Sequence, residues 1–290
     1  MAEWDGRSGG NRPGTGGSVP TLAGSRATIH YEQAREGPDI VWVSGDGGLA
    51  GDWDTYQIPY FKGAFRNTTF DNRGVGTTRC AVPLPWPLEA LARDTAELIE
   101  AACDPPVALV GLSFGGGIVQ QVALDFPELL RCVIAMGTGA VSRGWTWDYQ
   151  MAEIEFRKAG GRLDGMMAVT HYAAMSYPAQ VLGDRELWAK IREGYLAYYE
   201  TEANEESLVA QWEPCVLFDQ TERLPDCRVP LHVIAFDQDV QAPPQDGKEV
   251  ADLAPNAEYH LFEGMGHCSI YGHTHDVLNP FIKGIVERYL

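Results

Sequence analysis

The sequence lacks the features that mark several large classes of protein. No apolar run approaches the roughly 18 residues that a membrane-spanning helix needs. Basic residues are scarce, since 22 Lys and Arg stand against 40 Asp and Glu, which gives a formal net charge of −18. Nucleic acids and anionic membrane surfaces are bound through basic patches, so this composition argues against both as partners. A small molecule is the expected partner.

The cysteines and histidines form no recognisable metal-binding pattern. There are six cysteines, with no Cys-x-x-Cys pair and no repeated spacing, at Cys80, Cys103, Cys132, Cys215, Cys227 and Cys268. Free thiols in a cytoplasmic protein are therefore expected rather than a disulfide framework or a zinc site. No group of histidines and carboxylates has ligand spacing either, and the sequence predicts neither a metal nor a cofactor.

The N-terminal segment contains no apolar stretch of the kind found in signal peptides. Residues 1–25 are rich in glycine, with prolines, serines and scattered charges, which predicts a disordered leader.

Beyond this segment, short strand patterns alternate with helical patterns, which is typical of a mostly parallel sheet with helices on both faces. The predicted strands are Ala27–Glu32, Ile40–Val43, Asn67–Phe70, Val107–Val110, Cys132–Met136, Leu231–Ala235 and Glu258–Phe262. The predicted helices are Leu88–Ala102, Phe114–Phe126, Gly247–Leu253 and His275–Tyr289.

One long stretch interrupts this alternation. Residues 140–227 are rich in Trp, Tyr and Met at helical spacing, with no strand pattern until Leu231. Since the sheet resumes afterwards, a helical cap or lid is favoured over a separate helical domain. The α/β core would then consist of residues 26–139 and 228–290. Within the cap, Trp145, His171 and Tyr172 are candidates for the substrate pocket, although aromatic side chains in such a segment more often pack among themselves.

A strand-to-helix turn in this pattern carries a candidate nucleophile. The apolar segment 107–110 runs into Gly111-Leu112-Ser113-Phe114-Gly115, a G-x-S-x-G sequence followed by a helical pattern. A sharp turn of this kind exposes the serine hydroxyl, and the glycines two residues before and after it avoid clashes of β-carbons. As letters alone the motif is weak, but its position between strand and helix favours a nucleophile at Ser113.

A serine nucleophile needs a base, and the base needs an orienting acid. His267 comes just after a predicted strand and follows Gly264 and Gly266. These glycines permit a tight loop that brings the imidazole back to the edge of the sheet. His30, His232 and His260 lie within strand patterns and are predicted to be structural, and His273 and His275 flank the turn into the last helix. Two aspartates follow the strand at 231–235, and the spacing to Pro243 favours Asp239 over Asp237 as the acid.

An oxyanion hole is also required, because the tetrahedral intermediate carries a negative charge on one oxygen. The backbone N–H of Phe114 is one predicted donor. The second is the N–H of Asp46, in the glycine-rich turn after the strand Ile40–Val43. Ser44 stands where such turns commonly have histidine. The Asp46 carboxylate would disfavour anionic substrates if it points inward.

Together these residues resemble the α/β-hydrolase superfamily over nearly all of residues 26–290. The order Ser113, Asp239, His267 is the order of that fold's triad. Phe70-Asp71-Asn72-Arg73-Gly74-Val75-Gly76 matches a turn that is frequent in the superfamily. More narrowly, this turn, residues 237–244 and residues 250–256 are similar to actinobacterial cofactor-free (non-haem) haloperoxidases and enol-lactonase-like hydrolases.

The sequence and the resemblance together favour a cofactor-independent serine hydrolase acting on a small carboxylic ester, lactone or thioester. Hydrolysis of a carbon–carbon bond and peracid-forming haloperoxidase chemistry use the same triad and stay open as alternatives. A non-catalytic small-molecule receptor on the same scaffold is the alternative from another class.

Overall fold

A computed structural model of the chain describes residues 20–34, 36–82, 84–199 and 205–290. Its strands are β1 (Thr21–Ala23), β2 (Ala27–Ala34), β3 (Asp39–Val43), β4 (Arg66–Phe70), β5 (Arg79–Cys80), β6 (Val107–Leu112), β7 (Leu130–Met136), β8 (Leu231–Phe236) and β9 (Ala257–Phe262). Its α-helices are α1 (Gln57–Phe61), α2 (Leu88–Ala102), α3 (Phe114–Asp125), α4 (Gly144–Lys158), α5 (Gly165–Ser176), α6 (Ala179–Gly183), α7 (Arg185–Tyr199), α8 (Glu205–Leu217), α9 (Pro244–Leu253) and α10 (His275–Glu287).

The strands form one sheet in the order β1-β2-β4-β3-β6-β7-β8-β9, with β5 paired to β2. All pairs from β4 to β9 are parallel, whereas β2 is antiparallel to its neighbours. The predicted, mostly parallel sheet is confirmed. Because the carboxyl ends of β3, β6, β7, β8 and β9 lie at one edge, the loops that follow them meet there.

The central strands β3, β6, β7 and β8 are buried on both faces, because their alternate residues belong to two apolar cores. Val41 and Val43 of β3 face a core shared with α2, α3 and α9. Ile40 and Trp42 of the same strand face a second core shared with α1 and α10. Strands covered on both faces read as continuous apolar runs, which is how these strands read in the sequence.

The segment between β7 and β8 is helical, as predicted, and consists of α4 to α8. Its two ends are tied together, since Val141 and Asp219 form an isolated antiparallel bridge and the Gln220 N–H donates to the Ala140 carbonyl at 2.9 Å. The chain therefore leaves the sheet and returns to it at one place. In the described ranges no helix combines the length and the apolar character that crossing a membrane requires.

The predicted leader is too long at its C-terminal end. Residues 1–19 lie outside the described residues, but Thr21–Ala23 forms β1 and pairs with Thr28–His30 of β2. Gly24 and Ser25 lie in the connecting turn, so the small residues at this end of the segment belong to a hairpin. For residues 1–19 the leader stays a prediction.

A buried ion pair joins the turn after β4 to α2. The Arg73 guanidinium donates to both carboxylate oxygens of Asp94, at 2.7 Å from Nε and 2.5 Å from Nη2, and the Arg73 side chain is fully buried. This pair holds the turn Asp71–Gly76 in place, and Asn72 of that turn donates hydrogen bonds to the carbonyls of Ser44 and Gly45 after β3.

We expect Asp94→Asn to lower the free energy of unfolding by about 3–5 kcal/mol, because it leaves the Arg73 charge buried without a counter-charge. Urea denaturation followed by tryptophan fluorescence measures the change. Asp125→Asn is the matched control, since Asp125 pairs with the half-exposed Arg223 at 2.8 Å, and such pairs contribute about 0–1 kcal/mol. Equal losses in the two variants would contradict a special role for the buried pair.

Candidate active site

Ser113 occupies the turn between β6 and α3 with a strained backbone, at φ 57° and ψ −124°. Among the described residues it is the only one other than glycine with a positive φ. Such a conformation persists only where the surrounding structure enforces it. Here the Ser113 N–H donates to the Met136 carbonyl at 2.8 Å, and its carbonyl accepts from the Gly116 N–H at 2.8 Å. The predicted strand-to-helix turn is therefore present.

The flanking glycines are required by contacts of the backbone. A β-carbon at Gly111 would lie 2.3 Å from the Gly115 carbonyl oxygen. A β-carbon at Gly115 would lie 2.3 Å from the Val43 carbonyl oxygen and 2.6 Å from that of Ser44. Both distances are far below van der Waals contact, so any side chain at these positions would displace α3 from the sheet.

Asp239 and His267 follow the ends of β8 and β9 and lie side by side. His267 Nδ1 is 2.7 Å from Asp239 Oδ2, and both residues are buried. The other carboxylate oxygen accepts the N–H groups of Gln241 at 2.8 Å and Ala242 at 2.9 Å. A carboxylate held in this way orients the imidazole and leaves Nε2 as the nitrogen that can exchange a proton.

The electrostatics of this pair favour the protonated imidazole. Burial disfavours the charge on His267, but the charge of Asp239 and its hydrogen bond together outweigh burial, and Asp46 adds a smaller contribution. The pKa of His267 is consequently raised above its usual value. A raised pKa strengthens the imidazole as a base toward a weakly acidic hydroxyl.

Asp237, the alternative acid, lies elsewhere. It is exposed, and its Oδ1 accepts the N–H of Met265 at 3.2 Å. Its contact with the backbone supports the loop that carries His267, so its role in the structure differs from that of Asp239.

The loop after β3 lies directly against the serine. A β-carbon at Gly45 would lie 3.3 Å from Ser113 Cβ, which places the Gly45–Asp46 backbone beside the turn. Asn72 supports this loop, because its Nδ2 donates to the carbonyls of Ser44 at 3.0 Å and Gly45 at 2.7 Å. Phe114 is the first residue of α3, and the first amides of a helix have no partner within it.

A cavity of about 130 Å³ opens at this edge of the sheet. Ser113, Phe114 and His267 line it from the sheet side, together with Asp46. Residues of the helical segment line the opposite side, among them Tyr149, Glu153, Tyr172 and Trp212. An apolar cavity of similar volume, about 150 Å³, is enough to hold benzene, so the space suits a small ligand.

Polar contacts join the helical segment to the sheet side of the cavity. The Trp212 Nε1–H donates to Asp46 Oδ2. Gln211, fully buried, accepts the Gly47 N–H at 2.7 Å and donates to the Arg73 carbonyl at 2.7 Å. Helix α8 is therefore bonded to the loop beside Ser113.

A second polar group lies deeper in the helical segment. Tyr172 OH donates to the Glu153 carboxylate and accepts from Arg157 Nη2 at 2.5 Å. The same guanidinium lies 5.4 Å from the centre of the Trp212 ring. Burial, followed by the nearby Glu153, raises the pKa of Tyr172 above its usual value, so this hydroxyl stays protonated.

Of the three pocket candidates in the cap, only Tyr172 lines the cavity. Trp145 is 54% exposed, and its ring stacks on that of Tyr149 at 5.2 Å. The His171 ring lies 5.0 Å from that of Tyr172 and 6.3 Å from that of Tyr149. Both side chains therefore contact lining residues, and a direct role for Trp145 or His171 in the pocket stays a prediction.

Sequence reasoning missed four polar or aromatic residues that shape the site, namely Tyr149, Glu153, Gln211 and Trp212. Helical spacing indicates that Tyr149 and Glu153 share a face of α4, but it does not indicate that this face meets the sheet. Nothing in the local sequence distinguishes Gln211 from other polar residues of α8. The sequence identified Asn72 as part of the turn 70–76 that is frequent in the superfamily, but it did not predict the hydrogen bonds of Asn72 to the Ser44 and Gly45 carbonyls.

Comparison with known proteins identifies the family of this architecture. The model described as "Alpha/beta hydrolase family" matches residues 40–279. The chain is 30% identical over 262 residues to BpoC of Mycobacterium tuberculosis H37Rv, whose name designates it a candidate non-heme bromoperoxidase. That match covers 88% of this chain and 96% of BpoC.

Solved structures share the fold. Rv0554 from Mycobacterium tuberculosis superposes with a TM-score of 0.82 at 26% identity, covering 91% of this chain and 94% of that one. The enol-lactonase from Burkholderia xenovorans LB400 superposes with a TM-score of 0.75 at 22% identity, covering 92% and 98%. The resemblance to haloperoxidase and enol-lactonase-like proteins is thereby confirmed.

We expect Asp239→Asn to lower kcat for p-nitrophenyl acetate by about 10⁴-fold, because an amide stabilises the wrong imidazole tautomer. A base works in its neutral form, so activity is lost as the pH falls through the pKa of His267. Since Asp239 raises that pKa, the acid limb of the pH–rate profile should move to lower pH in the variant. Asp237→Asn is the matched control and should leave rate and profile nearly unchanged; the reverse ranking would contradict the assignment.

Proposed function

The chain belongs to the alpha/beta hydrolase family, and on that premise we propose that it is a cofactor-independent serine hydrolase. Its substrate would be a small carboxylic ester, lactone or thioester. The single observation that carries this proposal is the Asp239–His267 contact at 2.7 Å, in which His267 lines the same cavity as the strained Ser113 turn.

In the proposed reaction, His267 Nε2 removes the Ser113 proton as the hydroxyl oxygen attacks the acyl carbon. Asp239 stabilises the imidazolium that forms. His267 then protonates the leaving group, the carbon–oxygen or carbon–sulfur bond breaks, and an acyl-serine ester remains. Water, deprotonated by His267, attacks this ester and releases the acid and the free serine.

The N–H groups of Phe114 and Asp46 are the proposed oxyanion donors. Support comes from the position of Phe114 at the start of α3 and from the Gly45–Asp46 backbone against Ser113. Each donor would contribute about 2.7–4 kcal/mol to stabilisation of the transition state. Asn72 and Gln211 hold the second donor's loop from two sides, which suits a hole that is organised before substrate arrives.

The charge of the cavity favours neutral or cationic substrates. Asp46, Glu153 and Asp246 line it, and among its described lining residues there is no Lys or Arg. Glu153 is neutralised by Arg157 behind it at 3.1 Å. Burial and the nearby Glu249 raise the pKa of Asp246 to about 6, so it is mostly ionised at neutral pH.

Peracid formation is the second candidate, favoured by the 30% identity to BpoC. Here hydrogen peroxide replaces water as the attacking group on the acyl-serine ester, and a peracid and the free serine are released. The same residues serve both reactions, and the difference lies in which nucleophile reaches the acyl group.

We expect Ser113→Ala to abolish hydrolysis of p-nitrophenyl acetate, because no acyl-enzyme can form. Burst kinetics and intact mass spectrometry would detect the acetyl group on the wild-type chain alone. Ser142→Ala is the matched control, since Ser142 also lines the cavity but follows no strand end, and it should retain most of the activity. Turnover by Ser113→Ala equal to wild type would refute the serine mechanism.

Two measurements on the wild-type chain, a halogenation assay and the ester assay with its mass spectrum, separate the other candidates. Wild-type halogenation of monochlorodimedone with acetate, peroxide and bromide, at a rate comparable to ester hydrolysis, would favour the peracid reaction. An unreactive wild-type chain, without an acetyl adduct, would favour a receptor or a carbon–carbon hydrolase.

We expect Asp46→Asn to improve the use of an anionic ester relative to a neutral one, because it removes a negative charge and keeps the backbone N–H. The matched pair is mono-p-nitrophenyl glutarate and p-nitrophenyl pentanoate. The ratio of their kcat/KM values should rise about three- to tenfold, as expected for charges several ångströms apart in a partly solvated site. Glu155→Gln removes the same charge from the exposed side of α4 and should leave the ratio unchanged. A ratio that moves equally in both variants would contradict a local effect.

A further inference from the structure

Three side chains with metal-binding atoms meet at the last two strands of the sheet. His232 is the second residue of β8, and Glu258 and His260 belong to β9. Asp239 and His267 follow the opposite ends of these strands, so the cluster is separate from the candidate active site. The two histidines face one another, with His232 Nδ1 and His260 Nε2 3.1 Å apart.

The separations of the three ligand atoms are close to those around a tetrahedral ion. Ligand atoms at about 2.0–2.1 Å from such an ion lie about 3.3–3.4 Å from one another. Glu258 Oε2 is 3.7 Å from His232 Nδ1 and 3.9 Å from His260 Nε2. The two imidazole nitrogens are 3.1 Å apart and within hydrogen-bond distance of one another, so an ion would displace the proton between them. Changes of up to about half an ångström in the three separations would then complete three sides of a tetrahedral site.

The surroundings hold both imidazoles in place. His232 is buried, and its other ring nitrogen lies 2.9 Å from the Tyr289 hydroxyl. An outer partner of this kind orients a metal-ligating histidine and sets its tautomer. The His260 ring rests edge-to-face on Phe281 at 4.9 Å. Glu258, by contrast, is about half exposed and provides a route from solvent.

Arg288 is the group that competes with an ion at this position. Its guanidinium nitrogens lie 3.2–3.3 Å from the Glu258 carboxylate and 3.3 Å from His232 Nδ1. The Arg288 side chain is 47% exposed. It can therefore turn into solvent and leave the carboxylate and both imidazoles to a cation.

We propose that His232, Glu258 and His260 bind one divalent transition-metal ion of the zinc type, in exchange for the Arg288 guanidinium. Two imidazoles and one carboxylate are ligands that such ions accept. The ion would connect the edge strand β9 to β8, and its role is structural. The sequence predicted no metal site, because Glu258 lies 26 positions after His232, whereas their Cα atoms are register partners in the sheet.

The test is a Co²⁺ titration of the full chain after dialysis against a chelator. We expect a saturable visible absorption at one equivalent, without the near-ultraviolet band of thiolate ligands, and its loss on addition of Zn²⁺. Glu258→Gln should weaken binding at least as much as loss of an outer partner, about 10- to 100-fold. Glu32→Gln is the matched control: Glu32 is similarly exposed and lies 3.7 Å from one imidazole, that of His30, but among the described residues it belongs to no group of three metal-binding side chains.

Two further variants complete the test. Arg288→Gln removes the competing cation and should tighten Co²⁺ binding. His260→Gln should weaken Co²⁺ binding as Glu258→Gln does, so either ligand variant can serve if the other fails to fold. The proposal is overturned if the wild-type chain shows no saturable absorption. It is equally overturned if folded Glu258→Gln and Glu32→Gln variants bind Co²⁺ alike, or if Arg288→Gln binds no more tightly than wild type.

Discussion

The contact between the start of α3 and the end of β3 is the constraint on which the rest of the site depends. At Gly115 this contact leaves no space for a β-carbon, which would lie 2.3 Å from the Val43 carbonyl oxygen. Strand β6 must therefore end in a sharp turn, and Ser113 takes a backbone conformation that is costly for a residue with a side chain. The two apolar cores that hold the sheet and its helices stabilise this turn.

The fold alone does not choose a substrate, because many chemistries occur on one scaffold. In this chain the cavity wall opposite the sheet comes from α4, α5 and α8, which supply Tyr149, Glu153, Tyr172 and Trp212. The bond from Trp212 to Asp46 links this wall to the loop beside the serine. Cavity volume, cavity charge and the position of that loop are consequently coupled through one helix.

Sequence patterns predicted the central strands β3, β6, β7 and β8 because these are buried on both faces and read as apolar runs between turns. The short strands β1 and β5 carry no such run and were not predicted. The helix Leu88–Ala102 has the predicted bounds. In the cap the same periodicity was insufficient. Trp145 and Tyr149 lie one turn apart on α4 and stack, yet only Tyr149 lines the cavity. Periodicity shows which residues share a face of a helix, whereas the orientation of that face depends on its packing partner.

By itself the sequence determined the order of the candidate triad residues along the chain and the edge of the sheet at which they lie. Each of Ser113, Asp239 and His267 follows an apolar strand, and parallel strands end at the same edge. Tertiary structure alone decided which residues surround them. The Gly47 N–H meets Gln211 across 164 positions of the chain, and His232 meets His260 because β8 pairs with β9. Contacts of this kind arise when separate elements pack, and no local pattern records them.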